Sequence, residues 1–130
     1  MNPKSEKEVE AVLRLDGPER FRHFVKQVVD FETAWGVWNN GWVLMANDGG
    51  TSVFPLWPAR EYVERCCTGT WANYEPRPIT LDELLDDFLP NFAERGILPG
   101  VFPTPNRKGV TPSSDELAAA LRKYDDESYG

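Results

Sequence analysis

Histidine occurs once among the 130 residues, at His23, and cysteine only as the adjacent pair Cys66 and Cys67. A single imidazole excludes a histidine-rich metal centre and leaves little from which to build a catalytic triad. Neighbouring cysteines bridge only with strain, and there is no second pair to make a disulfide framework or a zinc site. Reduced thiols in a cytoplasmic protein are therefore expected. Basic side chains are also few: 14 Lys and Arg face 21 Asp and Glu, a formal charge of -7. Such a charge repels phosphate and anionic lipid, so neither nucleic acid nor a membrane is expected as partner. No apolar run approaches the roughly 20 residues of a membrane helix, and Met1–Glu6 has no apolar core of a signal peptide. The glycines at Gly41, Gly49 and Gly50 do not sit between a strand and a helix, which removes a phosphate-cradling loop.

What the chain does hold is apolar and aromatic: 41% hydrophobic residues, with five Trp, four Tyr and seven Phe. This suits one globular domain over residues 1–130. It divides into an N-terminal helix and connector (1–17), a core (18–121) and a frayed acidic tail (125–130). Ser5 with Glu8 reads as a capping box, followed by Val9, Val12 and Leu13 on one helical face. After Asp16-Gly17-Pro18, Phe21, Phe24, Val25 and Val28 recur at helical spacing, with His23 on the polar side as an exposed, ordinary histidine. From Ala34 to Trp57 the period shortens. Three apolar runs (34–38, 42–46, 51–57), separated by Asn-Asn-Gly and Asn-Asp-Gly-Gly, predict a three-stranded antiparallel meander.

Pro58 is suited to open a helix to about Thr68, lined by Ala59, Tyr62, Val63 and Cys66, with Gly69 just beyond its end. Thr70 to Pro78 reads as an irregular connector. Thr80 and Glu83 form a capping box for a helix whose stripe runs Leu81, Leu84, Leu85, Phe88, Leu89 and Phe92. Pro90 is expected to kink or restart that helix, and Gly96 to end it. Ile97 to Phe102 reads as a strand that Pro99 confines to an edge or a bulge, with Val110-Thr111 pairing back. Ser113 and Glu116 cap a last helix through Leu117, Leu121 and Tyr124. The expected class is α+β, with an antiparallel sheet of four to five strands and helices packed mainly on one face.

An ordered set of short features resembles the domain of unknown function 2750 family of small, mostly bacterial proteins. They are the helix start at Arg20-Phe21, Trp35-Gly36-Val37, Gly41-Trp42, Phe54-Pro55-Leu56-Trp57-Pro58, Thr68-Gly69-Thr70-Trp71 with Tyr74, Leu89-Pro90, Gly96-Ile97 and Val101-Phe102-Pro103. The resemblance spans Pro18 to Leu121. It implies an α+β organisation and a cytoplasmic location, and it brings no catalytic residues with it.

No set of side chains builds a reactive centre. Cys66 lies near a helix C-terminus, where the dipole disfavours a thiolate. Asp82, Glu83, Asp86 and Asp87 lack the spacing of a calcium loop and read as a solvated helix face. The expected role is thus non-catalytic, without cofactor or metal: an acidic module of immunity or antitoxin type that binds a basic protein. Trp38, Trp42, Trp71 and Tyr74, with Asp82, Asp86 and Asp87, are the expected contact residues, since exposed aromatics beside charge make hot spots. Two alternatives remain at this stage. One is a small enzyme or ligand carrier with a pocket between the sheet and the Pro58 helix, near Trp57, Glu61 and Tyr62. The other is a homodimeric structural protein.

Overall fold

Side-chain caps fix where the helices begin. In the computed structural model, which describes residues 5–130, α1 (Glu6–Leu13) and α2 (Gly17–Phe31) start at Ser5 and Asp16, whose side chains accept from the N–H groups of Glu8 and Glu19. The reading of Met1–Lys4 lies outside the described residues. The boxes at Thr80/Glu83 and Ser113/Glu116 are both complete and open α4 (Leu81–Glu83) and α6 (Ser114–Tyr129). No described helix is long and apolar enough to cross a membrane.

The α+β class holds, but the strands form two sheets and one pair is parallel, in place of a single antiparallel sheet. Strand β1 (Thr33–Trp38) pairs antiparallel with β4 (Glu75–Thr80). Strand β3 (Ser52–Leu56) pairs antiparallel with the short β2 (Met45–Ala46) and parallel with β5 (Leu98–Val101). Of the expected meander, only the β2–β3 hairpin forms a ladder, while β1 touches the next run through one bridge, Trp38 to Trp42.

Pro55 accounts for the split. Past the end of β3, Trp57 and Trp35 exchange N–H···O bonds of 2.8 and 2.9 Å, so Trp57 turns its N–H toward β1. Pro55, two residues earlier, turns its nitrogen to the same edge and has no hydrogen to give. The edge is therefore shared, β2 at Ser52 and Val53 and β1 only at Trp57. The parallel partner β5 is possible because the long, helix-containing stretch between β3 and β5 supplies the crossover that a hairpin cannot.

Strand β4 occupies the segment expected to be irregular. Pro76 and Pro78 argue against a strand, yet both have the same parity and face Val37 and Trp35 across the ladder. Trp35 points its N–H away from β4, toward Trp57. These are the non-hydrogen-bonded positions, where a missing N–H costs nothing.

Helix α3 (Arg60–Cys66) begins after Ala59 and ends before Gly69, which instead opens a 3₁₀ turn (Gly69–Trp71) with φ 59°. After α4 the chain widens into a π-helical turn (Leu84–Phe88) and resumes as α5 (Leu89–Arg95) with Pro90 in its first turn. The wider turn gives the Pro90 ring room that an α-helix would deny it. Gly96 then ends α5 at φ 67°. β5 lies at the sheet edge, as Pro99 requires, and Val101 pairs with Val110. Helix α6 runs to Tyr129 through the segment expected to fray, with the Tyr124 and Tyr129 hydroxyls donating to Asp30 Oδ1 at 3.0 and 2.6 Å.

A continuous core joins Phe24 and Val28 of α2, Ala34 and Val37 of β1, Leu56 and Trp57, Tyr62 and Val63 of α3, and Leu117 and Leu121 of α6. Arg20 is buried within it at 2% exposure, although periodicity gave it no part. Its guanidinium donates to the carbonyls of Leu15, Phe102 and Lys108 at 2.7, 3.1 and 3.3 Å, and burial lowers its pKa. Phe102 sits at φ 59°, a left-handed conformation costly for a bulky residue, and Arg20 grips its carbonyl. His23 is half-buried with its ring 6.2 Å from those of Tyr62 and Phe102, not the exposed histidine that its spacing suggested.

Candidate functional site

Trp42 is the centre of an apolar opening between β3 and the π-helical turn. It follows the Asn39–Gly41 turn and folds back over β1, where Gly36 leaves room for it: a Cβ at Gly36 would stand 2.8 Å from the indole. Trp38, Phe54 and Phe88 surround that indole with ring centroids at 5.2, 5.5 and 5.6 Å. Such offset and edge-on contacts are worth about 0.5–1.5 kcal/mol per pair beyond burial. Trp42, Phe54, Phe88, Phe92 and Ile97 line a groove of about 510 Å³ beneath Leu44, with Asp87, Asn91 and Arg95 at its rim.

Leu44 is 45% exposed. It shares the alternation of Trp42 along the extended run, and that spacing alone would have marked it as a partner of Trp42 on one face. Phe88 and Phe92, by contrast, belong to the expected core stripe. The π-helical turn adds a residue per turn and rotates Phe88 toward the opening, a change of phase that no helical periodicity reveals.

The expected contact residues fall into two groups. Trp42 and Asp87 line the groove together, and Trp38 adjoins them edge-on to Trp42 with the Arg77 guanidinium 3.7 Å above its ring. Asp86 is exposed on the same turn as Asp87, and Asp82 is exposed in the first turn of α4 beside the capping box. Trp71 and Tyr74 form a separate pair, 5.5 Å between ring centroids, and Trp71 lines a different cleft. Each of the four aromatic residues is half-buried, whereas Trp57 is fully buried with its Nε1–H donated to Pro103 O at 2.8 Å.

Other chemistry is weak. Burial, with neighbouring Cys67, pushes the Cys66 thiol up to about 11, so almost no thiolate exists near neutral pH. Burial likewise raises the Tyr62 hydroxyl to about 12. Among the described residues no three His, Cys, Asp or Glu side chains gather as a metal would need.

The family profile described as "Protein of unknown function (DUF2750)" matches residues 21–121. The chain belongs to the DUF2750 family. The matched region takes in β1 to β5, the groove and the first half of α6, so the groove lies within what defines the DUF2750 domain. No curated protein and no solved structure matches the chain.

Proposed function

We propose that this DUF2750 protein is a non-catalytic acidic module of the bacterial cytoplasm that binds a basic protein, in the manner of an immunity protein or antitoxin covering a positively charged active site. One observation carries this reading: Leu44 stands exposed over an apolar groove whose rim bears Asp87, with Asp86 beside it. An apolar anchor pocket ringed by charge is the usual form of a binding hot spot. A partner side chain such as Leu or Phe, flanked by Lys or Arg, fits that chemistry. A second copy of this chain fits it poorly, because each brings a charge of -7.

The test is capture from cell lysate with wild type and Leu44→Glu. Wild type should retain one basic protein in stoichiometric amount, released by rising salt. Leu44→Glu should bind it roughly thirtyfold more weakly, since losing a hot-spot anchor costs about 2 kcal/mol or more. Its melting temperature should hardly change, because Leu44 is already exposed. Equal retention by both proteins, or a partner that is acidic, would remove the groove from the account.

A further inference from the structure

On the other side of β3 lies a second cleft, and its electrostatics are opposite to those of the molecule as a whole. Its floor is the buried Trp57 indole and the half-buried Cys66, its wall is Trp71, and its rim carries Arg107 and Lys108. Its volume is about 430 Å³, within the roughly 300–1,000 Å³ typical of small-molecule sites. The hydroxyls of Thr68, Thr70 and Thr104 and the Asn106 amide complete the polar part. No carboxylate lines it, although the chain carries 21 Asp and Glu. This cleft lies toward the end of α3 and the turn at Thr104–Arg107. Of the residues expected about a pocket against the Pro58 helix, Trp57 lines this cleft and Glu61 and Tyr62 do not; Tyr62 is buried against Phe102, 4.8 Å between ring centroids.

From this we infer that the cleft between Trp57, Trp71 and the Arg107-Lys108 turn binds a small aromatic anion, a planar ring bearing a carboxylate or a phosphate. The ring lies against the half-buried Trp71, over the floor that Trp57 closes, and the anionic group meets the two cations and the threonine hydroxyls. Both cations are available for that task. Arg107 spends one guanidinium nitrogen on Leu15 O at 3.1 Å and keeps its other donors. Lys108 pairs with Asp48 at 2.8 Å, but the two side chains are 75% and 92% exposed, and so open a pair exchanges readily for a ligand anion. Two cationic residues lining a cavity that no carboxylate lines attract an anion even in an acidic protein, because screening confines remote charges to about 8–10 Å. The turn is pinned by reciprocal Thr104–Arg107 backbone bonds of 2.9 and 3.3 Å, so the backbone that carries the cations is in place before any ligand arrives.

The experiment is a nitrogen–proton correlation NMR titration of the full chain with phenyl phosphate, benzoate and the neutral benzyl alcohol. Expected are saturable shifts of the Trp57 and Trp71 indole N–H signals with one or both anions, and roughly tenfold weaker binding of benzyl alcohol. The double variant Arg107→Gln/Lys108→Gln should weaken the anion by roughly tenfold or more, and Arg107→Lys/Lys108→Arg should restore it. Three results would overturn the inference: benzyl alcohol binding as tightly as the anions, unchanged binding by the glutamine variant, or no saturation at about 10 mM of either anion. Shifts confined to Trp42 would do so too, because they would put the probe in the apolar groove. Should the glutamine variant fail to fold, the comparison of charged and neutral probes on wild type decides alone.

Discussion

Arg20 ties three segments to one side chain, and its chemistry cannot be supplied by another cation. The carbonyls of Leu15, Phe102 and Lys108 each take a different guanidinium nitrogen, while a lysine ends in a single nitrogen with mobile donors. In Arg20→Lys at least one of these carbonyls loses its donor, and Phe102 loses part of what holds it at φ 59°. Hydrogen bonds to charged groups are worth about 1.5–3 kcal/mol each, so Arg20→Lys should lower stability by about 3 kcal/mol. Chemical denaturation measures this directly, and a loss below about 0.5 kcal/mol, the range of ordinary surface changes, would show that the clamp is not structural. Nothing in the helical stripe announced this residue. Arg20 precedes Phe21 as one more polar position, and two of its three partners lie 82 and 88 residues away in sequence.

At the scale of elements, the sequence is legible wherever the physics is local. Both complete capping boxes, the Gly96 helix end and the edge position imposed by Pro99 follow from backbone donors and from φ alone. Pairings are less legible, because they depend on distant partners. Pro76 and Pro78 look like strand breakers until β1 is known to meet them at positions that need no N–H. Pro55 looks compatible with a three-stranded meander until its nitrogen is seen to face the strand that would have continued it. The groove shares this fate: alternation pairs Trp42 with Leu44, but only the π-helical turn shows why Phe88 joins them. The acidic end of α6 is helical for a similar reason, since Asp30, which its tyrosines bond, lies at the end of α2.

That contact gives α6 a definite response to pH. The bond from Tyr129, then that from Lys26, hold the Asp30 carboxyl below its ordinary value. A carboxylate with a lowered folded-state pKa adds stability that is complete above its unfolded pKa, about 4, and is lost as pH falls through the folded value. The melting temperature of wild type should therefore exceed that of Asp30→Asn near pH 7, and the gap should close below about pH 4. Slower amide exchange in the last turns of wild-type α6 at pH 7 should close with it. A gap that stays constant between pH 7 and pH 3 would show that Asp30 acts by packing and not by its charge.

For the molecule as a whole, charge is placed at two sites on either side of β3, an apolar groove whose rim carries Asp87 and Arg95 and has the exposed Asp86 beside it, and a cleft lined by cations. Asp86 and Asp87 are exposed and end no helix that depends on them, so reversing both to Lys should alter stability by no more than about 0.5 kcal/mol per site. Their proposed effect lies in encounter. Rim charges act on association rate more than on dissociation, and the effect shrinks as salt shortens the screening length. With the basic partner recovered through the groove, Asp86→Lys/Asp87→Lys should slow association by roughly tenfold at low salt and leave dissociation nearly unchanged, with the difference fading as ionic strength rises. Surface-based kinetics at several salt concentrations measure all three. A slower association that ignores salt would point to lost contact in place of steering, and unchanged kinetics would confine the partner's recognition to the apolar residues around Leu44.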